Sequence, residues 1–225
     1  MDEQPKPPYS SFNPWFTIPF LLWFIIGGLS LFAFDKQSLF ALFNTHHTSI
    51  SDFWMVLFTK MGEGVFGTII LLLLLALPSF RNWWYFSAAF LCNAVPALLV
   101  QVIKSSVDAP RPLKYFNDAP WIHYMPEWDR LLSRSFPSGH TCAAFCLFGF
   151  LAFILTPKFK WAGLLFFILA MLVGYSRMYL AAHFFLDVYV GSVIGVLFTI
   201  LVVAIMRRKP HYFYPRQKTE KISRS

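Results

Sequence analysis

A chain of 225 residues that is 57% hydrophobic and 20% aromatic, with 13% charged residues, is far more apolar than a soluble domain of its length. That composition marks an integral membrane protein and excludes an ordinary soluble enzyme. A formal charge of +8 would suggest nucleic acid in a soluble chain, but here its position decides its meaning, and no nucleic-acid module is needed to explain it.

Charge-free stretches give the predicted spans in chain order, since roughly 17 to 25 residues cross a bilayer as a helix. The first runs from Pro7 to Phe34, behind a proline-rich start with one lysine and no small-residue cleavage site. It reads as a retained helix whose first residues, 1–14, form a cytoplasmic leader. A polar loop, Asp35 to Asp52, follows and carries His46 and His47. The second span, Gly64 to Phe80, is expected to be extended outward by Phe53 to Thr59, with Lys60 and Glu63 at the interface. Glu63, between two glycines, is expected to cap a helix or pair with Lys60.

The third span is Asn82 to Ile103, and a long loop from Lys104 to Ser135 follows, rich in proline and holding Trp121, His123, Tyr124 and Trp128. Thr141 to Pro157, Trp161 to Ser176 and Val188 to Met206 complete six spans, and residues 207–225 form a basic cytoplasmic tail. Short connections, Ser79 to Asn82 and Thr156 to Lys160, predict antiparallel neighbours. Pro19 and Pro96 are expected to bend their helices, each removing a backbone donor. The expected fold is all-α: a polytopic six-transmembrane-helix bundle, one domain over residues 1–225, with a long outer loop between helices 3 and 4.

Placing both termini in the cytoplasm assigns eleven of the 19 basic residues to that side, in accord with the positive-inside rule. Lys36, Lys60, Lys114, Arg130 and Arg134 then remain as ordinary outer-loop charges. Cys92, Cys142 and Cys146 fall within apolar spans, where thiols behave as small hydrophobes, so neither a disulfide framework nor a cysteine metal site is expected. The paired loop histidines His46 and His47 read as solvated, since a metal site wants three or more converging ligands.

Three short stretches carry costly polar groups beside apolar helices, where they usually mark function. Lys104 and Arg111-Pro112 end the third span, and a lysine point charge with an arginine fork can converge on one anion, although cations at a helix end also snorkel to headgroups. Pro137-Ser138-Gly139-His140 opens the fourth span, where helix-start amides face negative charge, or where Ser138 serves only as a cap. Ser176-Arg177, His183 and Asp187 straddle the last two spans. If the sixth helix begins near His183, a spacing of four lets Asp187 hold one ring nitrogen and leaves the other free to attack. Under one topology all three stretches meet at the outer side.

These stretches resemble the signature of the phosphatidic acid phosphatase type 2 superfamily, which includes bacterial lipid phosphatases, soluble acid phosphatases and vanadium haloperoxidases. The resemblance implies a phosphatase that needs no metal and no other cofactor, with His183 as nucleophile, Asp187 orienting it and His140 protonating the leaving oxygen. It further implies that Lys104, Arg111, Ser138, Gly139 and Arg177 hold the phosphoryl oxygens. Expected substrates are lipid phosphates or diphosphates: undecaprenyl diphosphate, phosphatidylglycerol phosphate, phosphatidic acid or lipid A phosphates. The expected place is the inner (plasma) membrane, multi-pass, with the site facing the periplasmic or outer side. A phosphotransferase of the same fold, or a transporter that grips a phosphate-bearing lipid without cleaving it, are the alternatives, the latter disfavoured because the charges gather at one interface rather than at the midplane between repeats. The sequence does not set the oligomeric state.

Overall fold

The structure is a computed structural model and describes residues 12–126, 130–155 and 157–208. The start of the leader, Trp128 in the long loop and the basic tail from Lys209 lie outside the described residues. Among the described residues every regular element is helical. In chain order the α-helices are α1 (Pro14–Ala33), α2 (Lys36–Asn44), α3 (Ser49–Lys60), α4 (Gly64–Ala76), α5 (Trp83–Val107), α6 (Pro112–Tyr115), α7 (Gly139–Ile154), α8 (Ala162–Tyr179) and α9 (Phe185–Arg208), with a short 3-10 turn at Pro157–Phe159 between α7 and α8.

Local chemistry explains the ends. Asn13 caps α1 by accepting from the Trp15 amide and is followed by Pro14, whose missing N–H costs nothing at a helix start. Asn82 caps α5, and Asp108 ends it in the left-handed region, its amide donating to the Lys104 carbonyl. α1 and α5 run unbroken through Pro19 and Pro96.

Four helices, α1, α5, α8 and α9, are each long and apolar enough to cross a membrane, and α7, at 16 residues, is apolar but shorter. α3 and α4 qualify only as a pair, and they are bent by 60°. The expected extension of the second span by Phe53 to Thr59 is present in α3, set at an angle to α4: Met61-Gly62-Glu63 breaks the helix, and Glu63 stands at the N-cap of α4 without a side-chain cap bond. The stretch read as a polar loop, Asp35 to Asp52, instead holds α2, capped by the Asp35 carboxylate, and the first turn of α3.

α7 is the hub, packing on α9, α8 and α5. Lipid tails are as apolar as side chains, so close packing rather than hydrophobic burial joins such helices, and small residues allow it. Gly191 and Gly195, four apart on α9, face α7: a Cβ at Gly191 would lie 2.6 Å from the Ser138 carbonyl oxygen, and one at Gly195 would lie 2.7 Å from that of Cys142. Below this contact a phenylalanine cluster fills the bundle, with Phe16 edge-on to Phe145, Phe153 and Phe167. The three cysteines are buried in helices, unpaired. The α7–α9 contact therefore sets the start of α7 against the start of α9.

Candidate active site

That junction brings all three stretches together. α8 ends in a turn whose Ala181 adopts φ 50°, and the amides of Ala182 and His183 both donate to the Arg177 carbonyl, at 3.0 and 3.1 Å. The chain therefore reverses beside the last turn of α8 and delivers His183, 1% exposed, two residues before α9 begins. The last helix thus begins near His183, as the spacing of four to Asp187 requires, and the ring itself projects from the connecting turn.

Asp187 lies in the first turn of α9, its Oδ2 3.5 Å from His183 Nδ1. That carboxylate oxygen accepts from the Phe184 amide at 2.9 Å and from the Ser135 hydroxyl. On the opposite edge of the ring, Nε2 lies 3.4 Å from Arg111 Nη1. Burial, followed by the charges of Arg111, Arg177 and Lys104, holds His183 well below the ordinary histidine value. A neutral ring with one nitrogen turned toward cations is what a nucleophile for an anionic centre requires.

The cations are anchored by main-chain oxygens. Arg111 donates through Nε to Ser133 O at 2.7 Å, through Nη1 to Ala182 O at 2.9 Å, and through Nη2 to Arg134 O at 3.4 Å. Lys104 Nζ donates to the same Arg134 carbonyl at 2.8 Å. Arg134 has φ 56°, the left-handed region, in the turn that presents this oxygen to both cations. Arg177 is 2% exposed; its Nη1 donates to Thr59 Oγ1, while its Nε is buried with no hydrogen-bond partner among the described residues. A buried guanidinium donor left unmet by these residues is one that an oxyanion can satisfy.

His140 stands in the first turn of α7, within electrostatic reach of Arg177, His183, Lys104 and Arg111. Ser138 is buried and caps α7: its Oγ accepts from Thr141 Oγ1 at 2.8 Å, and its amide donates to the Asp187 carbonyl at 2.9 Å. The capping reading of Ser138 thus describes its side chain. Gly139 opens the helix, where the first amides have no partner within it. All eight sequence-derived site residues converge on this one end of the bundle.

Several residues near the site escaped the sequence reading. Ser135 binds Asp187, and Thr59 binds Arg177. A Cβ on Gly62 would lie 2.9 Å from His140 Cβ and 2.6 Å from Val173 Cγ1, so the α3–α4 elbow presses on His140. Lys36, counted as an ordinary loop charge, lies 3.7 Å from the Phe184 ring centre and 4.2 Å from that of Tyr115, bracing the turn between His183 and Asp187. The His47 ring stacks on that of His123 at 3.9 Å, and His123 Nε2 lies 2.8 Å from Asp52 Oδ1. Asp52 also accepts from Tyr179. His47 is exposed, as expected, and its ring also links its loop to the long loop through the stack on His123.

Comparison with known proteins fits this geometry. The family model of the PAP2 superfamily matches residues 81–210. Undecaprenyl-diphosphatase of Sulfolobus acidocaldarius is 30% identical over 188 residues, covering 83% of this chain and 85% of that protein. Phosphatidylglycerophosphatase B of Bacillus subtilis is 29% identical over 163 residues, 69% of each chain. The crystal structure of a transmembrane PAP2 type phosphatidylglycerolphosphate phosphatase from Bacillus subtilis shares the fold, with a TM-score of 0.62 at 24% identity over 87% of this chain and 98% of that one. A family match across more than half of the sequence, on a helical scaffold with several membrane-length spans, makes this chain a member of the PAP2 superfamily and a multi-pass membrane phosphatase.

Proposed function

We propose that the protein hydrolyses a phosphomonoester or pyrophosphate on a membrane lipid through a phosphohistidine intermediate, without a metal ion. The observation that carries this reading is His183 itself: a buried ring with Nε2 toward Arg111 and Nδ1 toward a hydrogen-bonded carboxylate. Nε2 donates its lone pair to phosphorus, the P–O bond to the lipid oxygen breaks, and His140 gives that oxygen a proton. Water then attacks phosphorus and gives a proton to His140. The N–P bond breaks and its electron pair returns to Nε2.

Phosphoryl transfer asks the protein for positioning and charge stabilisation above all. Lys104, Arg111 and Arg177 supply three cations, and the opening amides of α7 at Gly139, held in place by the Ser138 cap, supply donors. Relatives named phosphatidylglycerophosphatase B and undecaprenyl-diphosphatase support a lipid phosphate or diphosphate as the substrate class, to which phosphatidic acid and lipid A phosphates also belong. In this reading the bent α3–α4 pair and α7 join the four long helices as six crossings of an inner membrane. Residues 108–138 then form the outer loop, and the site faces the periplasmic or outer side.

The test is phosphate release by detergent-purified protein, in the presence of a chelator, across a panel of lipid phosphates and diphosphates, with and without an acceptor lipid. The expected result is chelator-resistant hydrolysis of at least one lipid, abolished by His183→Ala. Full activity in that variant would overturn the nucleophile assignment. Phosphorylated acceptor in place of inorganic phosphate would make the enzyme a transferase.

A further inference from the structure

We infer that Ser135 is a positioning residue of this reaction, joining nucleophile and carboxylate through one side chain. The inference rests on the reading of His183 as nucleophile and Asp187 as its partner. Direct contact between those two is poor: 3.5 Å from Nδ1 to Oδ2 exceeds the roughly 2.7–3.2 Å of a good N–H···O bond. Ser135 occupies the corner between them. Its hydroxyl donates to Asp187 Oδ2 and lies 3.4 Å from His183 Nδ1, while its own carbonyl is a further acceptor facing the ring.

A serine hydroxyl has one proton and two lone pairs. With that proton committed to the carboxylate, only lone pairs face Nδ1, so the ring must carry its own proton there. Nε2, on the side of Arg111, then holds the lone pair that attacks. As the N–P bond forms, the ring becomes cationic and keeps its Nδ1 proton. Asp187 answers that charge across the hydroxyl, and when water breaks the N–P bond the ring returns to neutral, so no net proton passes through Ser135.

Ser135 is built in rather than incidental. It is fully buried, and its amide donates to Ala109 O at 2.9 Å, while the Arg111 amide donates to Leu132 O at 3.0 Å. These two bonds lay the end of the long connection along the residues that lead into Arg111, and Ser133 and Arg134 give their carbonyls to Arg111 and Lys104. One short segment therefore sets the cations with its main chain and the dyad with its last side chain.

The experiment compares wild type with Ser135→Ala, Ser135→Cys and His183→Ala in detergent, using the best substrate of the lipid panel. Loss of one hydrogen bond to a charged group predicts a fall in kcat of about ten- to a hundredfold for Ser135→Ala, with KM within about twofold. The acid limb of the kcat profile is expected to move to higher pH, because a carboxylate with one donor fewer takes up its proton more readily. A serine that merely filled space would lower the melting temperature and leave that limb where it is. Wild-type kcat and pH profile in folded Ser135→Ala, with His183→Ala inactive, would overturn this inference alone. An active His183→Ala would overturn the underlying mechanism instead. Should the alanine variant not fold, Ser135→Cys, a closer match in size with a weak donor, is read in the same way: a lowered kcat with a moved acid limb supports the role, and an unchanged profile refutes it.

Discussion

In the proposed mechanism His183 links catalysis to folding through its proton. Its folded value is depressed, so below the ordinary histidine value of about 6.5 the unfolded chain binds a proton that the folded chain does not. Stability from this group is complete above that pH and is lost as the pH falls beneath it. The apparent melting temperature is therefore expected to drop between pH 7 and pH 5, and more shallowly in His183→Ala, as differential scanning fluorimetry in detergent would show. The neutral ring should also persist below pH 6.5, so in the proposed mechanism protonation of His183 does not set the acid limb at the value of an exposed histidine. At this scale the sequence was legible where chemistry is local and costly. Lys104, Arg111, His140, Arg177, His183 and Asp187 stand out because charge beside a membrane helix demands a reason. Ser135 and Thr59 did not stand out, because a serine or threonine has many uses, and their partners lie 52 and 118 residues away.

The α3–α4 elbow is the element whose role exceeds its length. Met61-Gly62-Glu63 breaks what reads as one apolar run, and the break lies against α7 and α8. Gly62 leaves no room for a methyl group: its carbon would lie 2.6 Å from Val173 Cγ1 and 2.9 Å from His140 Cβ, so these neighbours must shift. Gly62→Ala is expected to cost about 1–3 kcal/mol of stability by overpacking, and to lower kcat at least tenfold by displacing His140. Melting and steady-state kinetics on the same preparation separate the two effects. The family match starts at residue 81, so this elbow is a contribution from outside the matched segment. Its signal was present in the Gly-Glu-Gly sequence, which weakens a helix, but the apolar residues on either side outweighed it. α2 was readable too, with Asp35 as its cap and Leu39, Phe40 and Phe43 at helical spacing. Polar neighbours hid it, and its packing partners, Phe184 and Phe185, come from the far end of the chain.

For the whole molecule the decisive expectation is sidedness. Because the native cysteines are buried, single cysteines introduced at Lys114 and Lys158 can report topology against a low labelling background. A membrane-impermeant maleimide should label Lys114→Cys in intact cells and Lys158→Cys only after permeabilisation; the reverse pattern would turn the site toward the cytoplasm. The anchoring of the cations has a further consequence for turnover. Lys104 and Arg111 already hold the carbonyl oxygens of residues 133, 134 and 182, so in the proposed mechanism a phosphoryl group entering the site exchanges one oxygen partner for another instead of meeting bare charge. Exchange yields a far smaller net gain than capture. Inorganic phosphate, which no longer has a lipid tail to hold it, can then be handed back to solvent while the chain's own oxygens resume their places, and the resting enzyme resists becoming trapped by its product.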